Sequence, residues 1–361
     1  MCDTRAFGWH ERQSVDQVDR LYAVRRRRRV LVPVALALGL ALTVAWAVQM
    51  GSVDIPPGTV LRISLHRLWP GIPPTWPPSH EAIILDVRWP RILLEMLVGA
   101  ALATSGCTMQ GLFRNPMASP YTLGIASGAA FGAALAIVLG LPFYALPAMA
   151  FLLALATVFV VYRIAGARGG TAMETLLLAG LAVGSFFSAL VSFMLYIAGE
   201  KLAGIVFWLM GGFWASDWDK VAIALPLIAL ATGGILLFSR DLDLLLLGDE
   251  QAQSLGVDTE RVKKIVLALS SLTTAAAVCV TGVIGFVGII VPHLMRILVG
   301  PGHRLLLPTS CLVGAILLIC TDTLARAVIQ PTEIPVGIIT ALLGVPFFVY
   351  LLRRRKQILE W

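Results

Sequence analysis

The sequence predicts an all-α, polytopic membrane protein of about ten transmembrane helices. Its 361 residues are 58% hydrophobic and only 14% charged, against about 25% charged residues in soluble domains. Several apolar runs reach the roughly 20 residues that a helix needs to cross a bilayer. These runs do not alternate apolar and polar residues, as the strands of a transmembrane barrel do. Composition therefore excludes a soluble domain and argues against a barrel.

Hydropathy divides the apolar sequence into ten segments, and the division near 281–285 is the least distinct. The predicted spans are 30–50, 91–112, 121–141, 145–165, 173–198, 219–238, 263–282, 284–299, 305–327 and 335–352.

Ten crossings place both termini on one side of the membrane. Most of the 28 Lys and Arg residues then fall on that side, which the positive-inside rule makes cytoplasmic. We expect a basic cytoplasmic tail at 1–29, a transmembrane domain at 30–352 and a cytoplasmic tail at 353–361. The first apolar run is too long for a signal peptide, so we interpret it as a retained span.

The net charge of +7 does not indicate nucleic-acid binding, because the positive residues sit at the ends of apolar runs. The basic N-terminal tail is typical of contact with anionic membrane lipid. The five cysteines form no CxxC pair, and four lie inside apolar runs. We interpret those four as small core residues and predict no metal site.

The longest charge-mixed stretch is residues 240–264, RDLDLLLLGDEQAQSLGVDTERVKK, which we call the polar segment. Apolar spans flank it on both sides, and the predicted topology places it in the cytoplasm. Its pattern predicts two very short helices, Asp249–Leu255 and Asp258–Lys264, hinged at Gly256 and with Asp249 and Asp258 as N-caps. A compact helical segment favours docking of a partner; a merely solvated loop is the alternative.

Motifs for chemistry within this chain are missing from the sequence. There is no GxxxxGK[ST] stretch to cradle nucleotide phosphates, and no HExxH, GxSxG or Cys/His cluster with metal-ligand spacing. The sequence therefore argues against an enzyme and against ATP hydrolysis by this chain itself.

Eight segments are specific in combination and occur in a characteristic order. They are RWPR (88–91), GAALATSGCTMQGLFRNPMASP (99–120), LGIASGAAFG (123–132), LLLAG (176–180), LGDEQAQSLGV (247–257), GFVGIIVPHLMR (285–296), DTLAR (322–326) and EIPVGIITALLGVPFF (333–348). Over residues 85 to 352 they resemble the FecCD/BtuC-type permease family of ABC importers for iron-siderophores, haem and vitamin B12. Trp89, Met117 and Ile289 are mild departures from the family pattern.

The resemblance implies a type II importer architecture and a homodimer with its path on the two-fold axis. It also implies two separate ATP-binding cassette subunits that bind the polar segment. No cofactor would be held by this chain, and ATP and Mg²⁺ would be held by the partner ATPase. The residues expected to couple the permease to its ATPase subunits are Gly248, Asp249, Glu250, Ala252, Leu255, Gly256 and Val257.

The resemblance also assigns a cytoplasmic gate and an outer docking surface. The gate residues are Asn115, Pro116, Met117, Met173 and Glu174, within the turn after the second span and the 168–175 loop. Three arginines, Arg88, Arg91 and Arg326, would receive carboxylates of a periplasmic or extracellular substrate-binding protein. Local pairing is the alternative, since Asp322 lies four residues before Arg326 and Glu95 four after Arg91.

These features favour the permease subunit of an ATP-driven importer in a bacterial or archaeal inner membrane. The expected cargo is a bulky metal chelate: an iron-siderophore first, then haem or cobalamin. An ion-coupled secondary carrier without an ATPase is the alternative. Such carriers often use acids at mid-membrane, whereas the ionisable residues here gather at span ends.

Overall fold

The computed structural model describes residues 30–69, 71, 73–166, 173–329 and 332–354, and the regular elements of these residues are all helical. Residues 1–29 and 355–361, which form the predicted basic tail and most of the C-terminal tail, lie outside them. The helices in chain order are α1 Val30–Gln49, α2 Pro57–Leu68, α3 Pro78–Leu112, α4 Ile125–Leu139, α5 Ala145–Ala165, α6 Met173–Ile197, α7 Leu202–Met210, α8 Trp218–Leu237, α9 Ser239–Leu245, α10 Asp249–Ser254, α11 Thr259–Thr281, α12 Val287–Val299, α13 His303–Val328 and α14 Val336–Arg354.

The apolar helices correspond to the predicted spans. Seven described helices are long and apolar enough to cross a membrane: α1, α3, α5, α6, α8, α11 and α13. Three shorter apolar helices, α4, α12 and α14, supply the remaining predicted segments. The uncertain division is confirmed, because α11 ends at Thr281 and α12 begins only at Val287.

The second span is longer than predicted. Hydropathy starts it at residue 91, whereas α3 starts at Pro78 and runs for 35 residues. Proline is well tolerated in the first helical turn, so Pro78 starts the helix. A π-helical stretch at Ile83–Arg88 then precedes Pro90; its wider turn accommodates the missing N–H and the bulk of that proline.

α3 is the centre of the bundle. In its most apolar window 78% of the residues are buried inside the protein, against 6% for α1. α3 runs antiparallel to α13, with Gly99 against Gly314 and Gly111 against His303. We call the end of the bundle at His303, which also carries the polar segment, the lower face, and the opposite end the upper face.

Glycines bring the helix backbones into direct contact at α3. A β-carbon on Gly106 would lie 1.9 Å from the carbonyl oxygen of Gly288 on α12, and one on Gly99 would lie 2.2 Å from that of Gly314. Close approach of this kind lets transmembrane helices gain dispersion energy where lipid offers no hydrophobic drive. These contacts fix α12 and α13 against α3.

α7 is a short helix that does not cross the membrane. Its nine residues span about 13 Å, less than half the thickness of a bilayer core. Just beyond its end, the amide of Gly212 donates to the carbonyl of Thr281 at 2.8 Å. The amide of Gly337, at the start of α14, donates to Gly211 at 3.4 Å. The end of α7, the end of α11 and the start of α14 therefore meet at the break between α11 and α12.

Candidate functional site

The polar segment is helical but differs in detail from the prediction. The first short helix is present as α10, while Asp258–Lys264 is not a separate helix: it forms the first turns of the long α11. Asp258 is the N-cap of α11, its carboxylate accepting from the amide of Arg261 at 3.1 Å. The predicted N-cap role of Asp249 is wrong. Gly248 occupies that position, and Asp249 is the first residue inside α10.

Gly256 ends α10 in a left-handed turn with φ 86°. The amide of Val257 donates to Ala252 at 3.0 Å, and the amide of Gly256 donates to Gln253 at 2.9 Å. This pair of bonds is the Schellman arrangement, in which glycine supplies the left-handed residue. The predicted hinge is thus a defined helix stop.

The polar segment presents apolar side chains to its surroundings. Leu247 and Leu255, which flank α10, are 60% and 56% exposed. Glu250 is exposed beside them, whereas Ala252 and Val257 are buried and hold α10 against the bundle. An exposed apolar pair with a neighbouring charge is the composition of a small docking surface.

Two carboxylates hold the polar segment in place. Asp249 binds Arg114, in the turn after α3, at 2.5 Å, and its second oxygen binds Lys263 of α11. Asp243 of α9 accepts from the amide of His303 at 2.6 Å and contacts its ring Nδ1 at 2.9 Å. Asp243 therefore caps α13, a use of this residue that the sequence analysis missed.

The residues predicted as the gate lie near this attachment. The carboxamide oxygen of Asn115 accepts from the amide of Met117 at 2.9 Å, which makes a tight turn around Pro116. Met173 and Glu174 are the first two residues of α6; Met173 is half-buried and Glu174 exposed. The preceding part of the predicted gate loop, 168–172, lies outside the described residues.

A cavity of about 360 Å³ lies beside this turn. Its walls are mostly apolar, and on them the hydroxyl of Tyr121 donates to the carbonyl of Ile284 at 2.8 Å. The lining residues are Leu102, Met117, Ser119, Pro120, Tyr121, Thr122, Ile284, Gly285, Phe286, Gly288 and Ile289. The cavity thus separates the turn at Met117 from the break between α11 and α12.

On the upper face, the arginines predicted for docking have partners inside the chain. Arg88 is 4% exposed, and its guanidinium donates to the carbonyls of Val48, Gln49 and Val53 at 2.7, 3.1 and 2.6 Å. It therefore ties the end of α1 to α3. A direct docking contact from Arg88 stays a prediction.

Arg91 is the centre of a buried ionic cluster. It binds Asp322 through two bonds of 2.8 and 3.0 Å and Glu333 at 2.9 Å, and Glu95 lies 3.6 Å away. Arg326 also binds Asp322, at 3.1 Å. The local pairing considered from the sequence is present for both arginines, but the strongest bond of Arg91 is to another helix. Their docking role stays a prediction.

Residues 39–354 match the model of the FecCD transport family. The chain belongs to the FecCD transport family. Among its curated relatives, the cobalamin import permease BtuC of Halobacterium salinarum is 47% identical over 281 residues, which cover 78% of this chain and 76% of that protein. The hemin transport permease HmuU of Yersinia pestis is 40% identical over 334 residues, which cover 89% and 96%.

A solved structure confirms the architecture of this FecCD-family permease. The structure is described as a metal-chelate type ABC transporter in an inward-facing conformation. It is 37% identical, with a TM-score of 0.80 over 90% of this chain and 99% of that one. The resemblance stated from the sequence is therefore confirmed, and so is the all-α, type II importer permease fold. The protein is a multi-pass membrane transport subunit.

Proposed function

We propose that this FecCD-family permease is the membrane subunit of an ATP-driven importer for a bulky metal chelate. The observation that supports it most is the polar segment, which presents exposed Leu247 and Leu255 and is attached to the bundle by Asp249 and Asp243. A segment built in this way can receive force from a partner and pass it on. Since the chain has no P-loop, ATP and Mg²⁺ belong to separate ATPase subunits.

The proposed assembly places the lower face and both termini in the cytoplasm of a bacterial or archaeal cell. Two copies of the chain would form a homodimer and bind two ATPase subunits at the polar segments. A substrate-binding protein would meet the upper face beside Arg326 and Glu333, at the edge of the ionic cluster. Glu333 is the more accessible of the two, its side chain being 37% exposed.

In this function the chain makes and breaks no covalent bond. ATP binding and hydrolysis displace the polar segments, and the turn that carries Met117 opens and closes the lower end of the path. Methionine suits such a gate because its flexible, apolar side chain fills irregular gaps. The cavity beside Met117 gives that side chain room to move.

The proposed cargo class agrees with relatives named for cobalamin and hemin. Cells that express the complete transporter should take up one of three probes: cyanocobalamin, haemin or a ferric siderophore. Uptake should require ATP and should vanish when the chain is deleted. Transport of none of these, with transport of a small free ion instead, would contradict a bulky-chelate importer.

The secondary-carrier alternative is less favoured by the buried acids. Glu95 and Asp322 both lie beside Arg91, and Asp322 also binds Arg326. Asp322, bound by arginines on two helices, is poorly suited to repeated proton or sodium exchange. The direct test is purification of the tagged chain in gentle detergent, with mass spectrometry of stoichiometric partners. An ATPase should co-purify, and its absence would favour the carrier.

A substitution at Gly256 tests the ATPase docking site. Gly256→Pro removes the amide bonded to Gln253 and forbids the observed φ of 86°. We expect the ATPase to be lost from the purified complex, with the permease still folded.

Gly256→Asn is the matched control, since asparagine tolerates the left-handed region and nothing lies within 4 Å of a β-carbon there. It should retain the ATPase. Equal ATPase recovery from both variants would refute this docking site.

A further inference from the structure

One carboxylate in the polar segment contacts two cations that belong to different parts of the fold. The two oxygens of Asp249 bind Arg114 and Lys263 separately. Lys263 lies on α11, only fourteen residues further along the chain, whereas Arg114 lies on the turn that follows α3. We call these three residues the Asp249 clasp. Its Arg114 bond is the longer-range one, because it joins the polar segment to a different cytoplasmic-side turn.

Arg114 has an unusual backbone. Its φ is 47°, one of two positive values among the described non-glycine residues. A non-glycine residue keeps such a conformation only where its surroundings hold it there. The restraint is a Schellman stop at the end of α3, in which the amide of Arg114 donates to Gly111 at 3.3 Å and the amide of Asn115 donates to Gln110 at 3.1 Å. With its backbone held in this way, Arg114 carries a pull from Asp249 through its side chain to the turn that begins at Asn115.

The chain after Arg114 is the gate turn, and its bonds make it move as a unit. Asn115 accepts from the amide of Ala118 at 3.0 Å through its carbonyl. Its side chain holds Met117. A displacement of Arg114 is therefore transmitted to Met117, which lines the cavity beside the turn.

We infer that Asp249 is a positioning residue that transmits displacement of α10 to the gate turn through Arg114. This rests on the proposed function, because it needs an ATPase that moves the polar segment. This inference changes the role expected of one of the coupling residues. Asp249 is assigned a contact within the permease, and the ATPase contact falls to the exposed Leu247 and Leu255.

The test measures gate movement and needs no transported substrate. The reporter is Met117→Cys in a background without the five native cysteines, in the permease bound to its ATPase. The labelling rate with N-ethylmaleimide is compared with and without ATP. D249N and R114M should each reduce the ATP-dependent change by about fivefold or more, the size of a typical coupling free energy. ATPase recovery and hydrolysis should persist.

Three further variants separate coupling from folding. K263M removes the other cation of the same carboxylate without touching the gate turn, so it should keep most of the ATP response. R114D with D249R reverses the ionic bond, and K263M is added to it because the lysine would repel the new cation. This combination should restore a response that R114D alone has lost, which a general folding defect would not allow.

The outcomes distinguish the two proposals. An ATP response that is equal in all variants overturns the clasp alone. Loss of ATPase from D249N but not from R114M makes Asp249 a docking residue and also overturns the clasp. If no ATPase co-purifies with the unsubstituted chain, the proposed function fails and the clasp fails with it.

Discussion

Replacing Arg91 by methionine is expected to lower the free energy of unfolding in mild detergent by about 3–5 kcal/mol, the usual cost of removing one partner from a buried ion pair. Arg91 is 8% exposed and Asp322 is 1% exposed. The substitution leaves the Asp322 carboxylate with only Arg326, and it leaves Glu95 without its nearest cation. Unfolding titrated with dodecyl sulfate and followed by tryptophan fluorescence measures the change.

Arg326→Met is the matched control on the same cluster. Asp322 then keeps its two bonds to Arg91, so the expected loss is smaller, about 1.5–3 kcal/mol, the usual contribution of a hydrogen bond to a charged group. Equal losses for the two variants would contradict the central position of Arg91. Full stability of Arg91→Met with loss of binding-protein capture would instead support the docking role that the sequence suggested.

Replacing Gly106 by valine should prevent the bundle from closing. The first added carbon would lie 1.9 Å from the carbonyl oxygen of Gly288 and 2.5 Å from its α-carbon. Both neighbours are backbone atoms of α12, so no side chain can rotate away and the two helices must separate. Overpacking usually costs about 1–3 kcal/mol, and we expect at least the upper end here. The yield of monodisperse protein in size-exclusion chromatography should fall accordingly.

Gly233→Ala is the control for glycine replacement in a transmembrane helix. Gly233 lies inside α8 and is exposed, and a β-carbon added there would have nothing within 4 Å of it. Alanine at this position should be neutral or stabilising by up to about 1 kcal/mol. A similar loss of yield from both variants would show that close packing is not what Gly106 provides.

The polar segment shows what local sequence rules predict and where they stop. The cap at Asp258 and the helix stop at Gly256 depend on bonds within a few residues, and both are present in the structure. The same rule fails for Asp249. Its carboxylate binds Arg114, which is 135 residues away in the chain, and a rule based on neighbouring residues contains no information about that contact.

On the upper face, too, local rules predicted the contacts within a helix but not the contacts between helices. Spacing of four residues correctly predicted that Glu95 and Asp322 lie near Arg91 and Arg326, respectively. The bond between Arg91 and Asp322 joins α3 to α13 across 231 residues. Sequence reasoning left both docking of a partner and local pairing open for the arginines, whereas in the structure their side chains are largely enclosed by the protein's own carboxylates and carbonyls.

The sequence by itself determined the membrane class, the approximate spans, the division near 281–285 and the family, because hydropathy and ordered motifs are properties of short stretches. Only the tertiary structure decided that α3 is the central helix, that α7 ends at the break between α11 and α12, and that Asp249 and Arg91 are bound internally. Those outcomes depend on which helices pack side by side. Packing follows from glycine contacts and buried ionic bonds between residues far apart in the chain, so the energy that selects it arises only when the whole bundle has assembled.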